Sequence, residues 1–380
     1  MWILTFLFLV TTLSICWVLF GFLLWNFFGG MLVKRPELEL PDTFPSVTVL
    51  IPTYNEEEQI LDKLADTLAL AYPKEHLRIV FADGQSSDRT VALLEDAIRD
   101  HDHVSVVRCP RGGKIHQLNH VLESVDSDLV VNTDADARLD ADCLQWLAAE
   151  FTDADVWVAG AFCNPEGGLK VEQHYWDGQN KARLMETRVK TSSIVVAPCY
   201  GFRRTLLDAF PEDVVADDIY VAFLCNTLGK RTVYSSKAVC REVRVPGTLD
   251  DFLPQKFRKS NAYLRESLRF AYRLPEMDGY NRVMHLTRVV QQLLMPWLGL
   301  GWIAIAASLL MVSVDGSPWG RVDLVGFGAA LLFFFFLLTG WAFQRVRPPV
   351  QGRRYSIFTM IYKQGSSYAR ISMPGGADSA

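Results

Sequence analysis

Three long stretches of this chain carry no charge, and that absence limits its possible folds more than any other feature. Residues 1–33 contain no Asp, Glu, Lys or Arg. A helix needs about 20 apolar residues to cross a bilayer core, and this stretch exceeds that length. It lacks the basic start and small-residue cleavage site of a secretory leader, so it reads as an uncleaved anchor. Residues 289–314 and 324–344 are the other two charge-free runs. They predict two membrane helices joined by a tight turn at Asp315-Gly316-Ser317-Pro318. The competing reading is a helical hairpin buried in a soluble protein. Residues 331–338 read LLFFFFLL and leave little polar face for it. Basic residues then set an orientation. Lys34 and Arg35 follow the first run, Arg269, Arg273, Arg282 and Arg288 precede the second, and Arg345, Arg347, Arg353 and Arg354 follow the third. The short loop between the last two runs holds only Arg321. The positive-inside rule therefore places the middle of the chain and its tail in the cytoplasm, on a multi-pass protein of the cell membrane.

Composition removes several classes of function. Lys plus Arg total 38 against 43 for Asp plus Glu, giving a net charge of −5. With no basic excess and no Lys/Arg run, nucleic acid is not an expected partner. The seven cysteines are odd in number, include no C-x-x-C and fit no zinc-site spacing. They read as buried thiols in a reducing compartment.

The middle of the chain alternates two periodicities. Residues 46–51, 77–82, 104–107 and 128–132 are short β-rich runs. Residues 57–71, 88–99 and 115–125 between them show helical spacing. This alternation predicts an α/β fold with an open, mostly parallel sheet, which binds ligands beyond the carboxyl ends of its strands.

Each predicted strand is followed by a polar cluster: Pro52-Thr53-Tyr54-Asn55-Glu56-Glu57, Asp83-Gly84-Gln85-Ser86-Ser87-Asp88, Arg111-Gly112-Gly113-Lys114 and Thr133-Asp134-Ala135-Asp136. A single cluster of this kind is equally an ordinary turn with a helix cap. Four on one sheet edge point to a site. Asp134-Ala135-Asp136 offers two hard carboxylates suited to Mg²⁺ or Mn²⁺, a metal that bridges protein to phosphate more often than it sits in an all-protein cage. Lys114, at a helix start, suits a diphosphate. His116 and His120 stand four apart on a helix, but no third ligand is evident, so they read as helix surface.

These segments together resemble the family 2 glycosyltransferases of GT-A (Rossmann-like) fold. The resemblance covers about residues 45–265. Its matching segments are 51–57, 83–88, Gly113-Lys114 with Leu118-Asn119, and 134–136. Further along come Gly201-Phe202-Arg203-Arg204, Ala216-Asp217-Asp218 at the family's acidic motif, and Gln255-Lys256-Phe257-Arg258 at its Q-x-x-R-W motif. The resemblance implies inverting transfer of a sugar from a nucleotide-diphosphate donor, with UDP favoured over GDP by family frequency. It implies that Pro52, Tyr54, Glu56 and Asp83 bind the donor and that Lys114 lies near it. Asp134 would lie against the nucleotide, and Asp136 would hold the metal with it. Gln255 and Arg258 would hold the diphosphate or acceptor side. Asp218 would be the base that takes the acceptor's proton, with Asp217 as the alternative. One departure stands out: Lys259 occupies the family's tryptophan position.

The expected organisation is an anchor at 1–33, a cytoplasmic GT-A domain at 34–250, an interfacial amphipathic segment at 251–288, two membrane helices within 289–344 and a cytoplasmic tail at 345–380. A growing polysaccharide needs a polar conduit through the membrane, and three nearly apolar spans do not enclose one. A single transfer to a lipid-linked or glycolipid acceptor in cell-envelope glycan synthesis is therefore the leading expectation. A processive polysaccharide synthase and a catalytically silent nucleotide-sugar-binding scaffold are the alternatives.

Overall fold

The computed structural model describes residues 2–311 and 319–345. The turn expected at 315–318 and the tail beyond Arg345 lie outside the described residues.

The β-rich runs form strands, and four more follow. β1 (Val47–Thr53), β2 (Leu77–Asp83), β3 (Val104–Arg108), β4 (Leu129–Thr133), β5 (Ala137–Leu139), β6 (Val156–Pro165), β7 (Cys199–Arg203) and β8 (Arg231–Glu242) make one sheet of order β3-β2-β1-β4-β7-β6-β8-β5. β1 pairs in parallel with β2 and β4, and β2 with β3. Beyond β4 the sheet is mixed: β7 runs antiparallel to β4 and β6, β8 is parallel to β6, and β5 is antiparallel to β8.

Strand periodicity sends alternate side chains to opposite faces. Val49, Ile51, Ile79, Phe81 and Val131 enter one core, with Ile60 and Leu64 of α3 (Ile60–Leu68), Leu94 of α4 (Thr90–Ala97) and Leu147 of α6 (Cys143–Glu150). Leu50, Val80 and Val130 enter the other, with Leu118 of α5 (Lys114–Leu122) and Val221 of α8 (Asp217–Thr227). Both faces are covered, so the strands read as nearly continuous apolar runs. This is a GT-A-like α/β fold.

Among the described residues, two helices are long and apolar enough to cross a membrane. The first is Ile3–Leu32, made of α1 (Trp2–Cys16) and α2 (Phe22–Leu32) joined through a π turn. The second is Gly279–Leu309, in which α10 (Gly279–Val289) passes through another π turn into α11 (Met295–Met311). It starts ten residues before the charge-free run that the sequence marks. The Asp278 side chain caps it by accepting from Asn281 N at 3.0 Å, and its first turns bury Asn281, Met284 and His285. The third expected span is helical as α12 (Trp319–Arg345), with a shorter apolar stretch at Gly328–Thr339.

The apolar helices dock on α7 (Lys170–Val189). Leu24 and Phe27 pack with Met185, and Arg35 donates to the carbonyls of Arg188 and Lys190 at 3.0 and 3.1 Å. Tyr280 Oη donates to Asn26 Oδ1 at 2.6 Å. Ile3, Phe6, Leu13, Trp297, Leu300 and Ile303 remain exposed. Within the segment expected to lie on the membrane face, α9 (Leu249–Arg269) exposes Leu249, Leu253 and Phe257, whereas Tyr263 and Phe270 are buried beside Phe223.

Candidate active site

The carboxyl edge of the parallel strands forms a cleft of about 720 Å³, and Pro52, Tyr54, Glu56, Lys114, Asp134 and Asp136 line it. Five local devices build it. The segments after β1 and β2 knit together: Asn55 Oδ1 accepts from Ser87 N at 2.8 Å, and Asn55 N donates to Ser86 Oγ at 2.9 Å. Gln117 Nε2 donates to the carbonyls of Thr53 and Ala82, both at 2.7 Å, and so ties the two strand ends. Gly84 carries no Cβ because one there would stand 2.8 Å from that same Gln117 nitrogen. Gly113, at φ +108°, makes the turn that starts α5 at Lys114, a backbone state that favours glycine. Antiparallel pairing of Ala137 with Glu242 brings the end of β8 beside Asp136.

Lys114 organises the charges. Its Nζ lies 2.8 Å from Asp134 Oδ1 and 3.2 Å from Asp217 Oδ1. Burial alone would lower its pKa, but Asp134 and then Asp217 outweigh that and hold it above the usual lysine range. Asp136 is pushed up by burial and by Asp134, with Arg244 pulling the other way. Arg244, just after β8, pairs with Glu56 and brings its Nε within 4.0 Å of Asp136 Oδ2.

The two acidic candidates at the start of α8 have different surroundings. Asp217 is buried; Tyr200 Oη donates to its Oδ2 at 2.5 Å and Asn132 Nδ2 at 3.2 Å. Asp218 is half-buried, and burial together with Asp217 raises its pKa to about 7, against the opposing pull of Lys114.

Three expected donor residues are not among those that line the cleft. Asp83 is buried beneath the cleft, where its carboxylate accepts from the amides of Gln85 and Ser86 at 3.1 and 3.2 Å. Gln255 and Arg258, on α9, do not line the cleft. Arg258 is exposed, and Gln255 Oε1 is buried without a hydrogen-bond partner among the described residues. Around them, Lys256 pairs with Glu172 at 2.6 Å, and Lys259 lies 3.6 Å from Glu242 and 5.3 Å from the Trp176 ring centre. A tryptophan from α7 therefore stands beside the position where the family motif would place one.

The sequence reading missed Gln117, Tyr200, Asn132 and Arg244. None of these belongs to a motif, and each acts through a partner at least 17 residues away in the chain. Among the described residues no group of three or more His, Cys, Asp and Glu side chains could hold a metal ion. Asp134 and Asp136 instead supply two hard oxygen donors in a cleft wall, and Asp136 already draws a guanidinium toward it. That donor set fits a divalent ion whose other positions are filled by phosphate oxygens and water.

Comparison with known proteins agrees with this fold. Residues 48–210 match the family model Glycosyl transferase family 2. An N-acetylglucosaminyltransferase of Rhizobium leguminosarum bv. viciae is 26% identical over 74% of this chain and 69% of its own length. A poly-β-1,6-N-acetyl-D-glucosamine synthase of Staphylococcus aureus is 27% identical over 59% of this chain and 56% of its own. Among solved structures, a mannosyltransferase from Pyrobaculum calidifontis in complex with GDP-Man and Mn²⁺ superposes with a TM-score of 0.66. It is 23% identical, covering 89% of this chain and 95% of its own. S. aureus TarS in complex with UDP-GlcNAc gives 0.50 at 18% identity, over 84% and 92%. These two share the fold. The chain is thus a glycosyltransferase. Its residues 48–210 form a domain of glycosyltransferase family 2.

Proposed function

We propose that this chain is a membrane-bound, inverting, metal-dependent transferase that moves a sugar from a UDP-sugar to a hydroxyl of a lipid-linked or glycolipid acceptor in cell-envelope glycan synthesis. The names of its relatives make N-acetylglucosamine the first sugar to test. One observation carries the reading: Lys114 joins Asp134 of the D-x-D turn to Asp217 at the start of α8, the residue next to Asp218.

In this mechanism Tyr54, Pro52 and Glu56 form the donor wall, and Asp83 holds its turn from below. Lys114 and the first turn of α5 meet the diphosphate, where cationic and N–H groups are favoured. Asp134 and Asp136 would hold Mg²⁺ or Mn²⁺, which when bound neutralises charge on the leaving nucleotide. Asp217, held by Tyr200 and Asn132, keeps α8 in place. Asp218 takes the proton of the acceptor hydroxyl; a carboxylate with a pKa of about 7 suits a general base at neutral pH. One base, with no second nucleophile required, fits inversion. Gln255 and Arg258 then belong to the acceptor side.

The two long apolar helices, the exposed apolar residues on them and the basic residues at their ends support anchoring, with α12 as a third span and the catalytic domain in the cytoplasm. α9, with Leu249, Leu253 and Phe257 outward, would then lie along the membrane face. The likeness to a poly-N-acetylglucosamine synthase favours one second reading, a processive synthase. Product length separates the two.

The test is UDP or GDP release from a panel of nucleotide sugars by the detergent-purified chain, with Mn²⁺ and a lipid extract of its own host. Lipid-stimulated UDP release from UDP-N-acetylglucosamine is expected. Nucleotide binding without release from any donor would instead support a silent scaffold.

A further inference from the structure

Lys63 is among the largest fully buried side chains of the chain, and no motif contains it. It stands on α3, the helix that follows the first donor segment. Its Nζ donates to Thr133 Oγ1 at 3.0 Å and to the Ala137 carbonyl at 2.8 Å. These two residues bracket Asp134-Ala135-Asp136 on either side. One helical turn later, Asp66 lies 3.9 Å from the same nitrogen and accepts from Leu139 N at 3.0 Å. The D-x-D turn is closed above by Ala137 N donating to Asp134 O at 3.1 Å and joined to the end of β8 by Val243 N donating to Asp136 O at 3.0 Å. Lys63 is its support from below.

A buried ammonium is costly unless its donors are paired. An apolar side chain could fill the same space without that cost. What an apolar residue could not do is hold both ends of the carboxylate turn at a fixed separation. We propose that Lys63 is a positioning residue for the metal-binding turn: by bonding Thr133 and Ala137 it sets the spacing of Asp134 and Asp136 and locks that turn to the helix behind the donor wall. This inference rests on the reading of Asp134 and Asp136 as metal ligands. Lys63 touches neither donor nor metal, so its effect falls on metal binding rather than on nucleotide binding.

The experiment titrates Mn²⁺ into the full chain in detergent with saturating UDP, following free Mn²⁺ by its paramagnetic resonance signal. UDP binding in EDTA and the thermal midpoint are measured on the same samples. Lys63→Met keeps the length and removes the donors; Thr133→Val keeps the shape and removes one acceptor, together with the 2.8 Å donation from Thr133 Oγ1 to the Pro198 carbonyl. Both are expected to weaken Mn²⁺ binding by about 10- to 100-fold, the range seen when groups that orient metal ligands are removed, with UDP binding in EDTA unchanged. Parental Mn²⁺ binding in a folded Lys63→Met chain would overturn the inference, as would an equal loss of UDP binding in EDTA. If Lys63→Met does not fold, Thr133→Val decides by the same two criteria. Asp136→Asn separates the two levels of the argument. If it also binds Mn²⁺ normally, the metal reading falls and the inference with it. If it alone loses Mn²⁺, only the role of Lys63 falls.

Discussion

The sheet has two halves built on different rules. From β3 to β4 every neighbour is parallel, each strand end feeds a polar turn, and those turns supply almost the whole wall of the donor cleft. From β7 to β5 the sheet is mixed, and its contribution is a few side chains brought in from far along the chain: Tyr200 from β7, Asp217 and Asp218 from α8 and Arg244 from after β8. A regular edge can be read from local sequence because each turn makes its own site. A mixed half cannot, because its residues matter only through partners that the fold supplies. On this account the first half binds and the second half reacts, and Lys114 bridges them by pairing with Asp134 on one side and Asp217 on the other.

The sharpest way to break that comparison is at the bridge. Lys114→Met is expected to lower kcat/KM by about 10²–10³-fold, the usual cost of removing one charge-stabilising donor from a polar site, and steady-state UDP release measures it. A loss confined to KM would mean that Lys114 serves the binding half alone.

The second half should carry the pH dependence. With Asp218 at about 7 and the ionised form acting as base, kcat/KM should fall about tenfold per pH unit below that value. The sign for stability is opposite. Asp218 holds its proton more tightly in the folded chain than in the unfolded one, so between the ordinary carboxylate range and about 7 stability falls as pH rises. Asp218→Asn should therefore melt higher than the parent at pH 8, and thermal melts at pH 5 and 8 check this.

In the first half the effect should be structural. Gln117→Leu removes the donor shared by Thr53 and Ala82 and should destabilise by about 1–3 kcal/mol, read by denaturant melts, with a raised KM for donor and little change in kcat. The smallest effect is expected at the outer edge of the second half. Arg258 is exposed and away from the cleft, so Arg258→Ala should change stability by no more than about 0.5 kcal/mol and leave donor KM unchanged. A large rise in donor KM would return Arg258 to the diphosphate.

The difference between the halves also explains what the sequence disclosed. The strand–helix alternation, the Gly113 turn into Lys114 and the Asp134-Ala135-Asp136 turn were legible because each is local. The adjacent acids at 217 and 218 were legible as a pair but not as individuals. Only the folded chain shows Tyr200 and Asn132 engaging Asp217 and leaving Asp218 freer. Nothing in the sequence singled out Lys63, because its partners lie about seventy residues away. Gln255 and Arg258 kept the motif's spacing, but the structure holds them outside the donor cleft, where Lys259 meets Trp176. The start of the second apolar helix was hidden because its first turns carry polar residues buried against the catalytic domain.

The most direct test of the central claim compares Asp218→Asn with the parent at pH 8 in Mn²⁺, measuring UDP binding and sugar transfer on the same protein. The account predicts unchanged UDP binding and transfer reduced by about 10²–10⁴-fold, the usual contribution of a general base. Transfer at the parental rate by Asp218→Asn would contradict it.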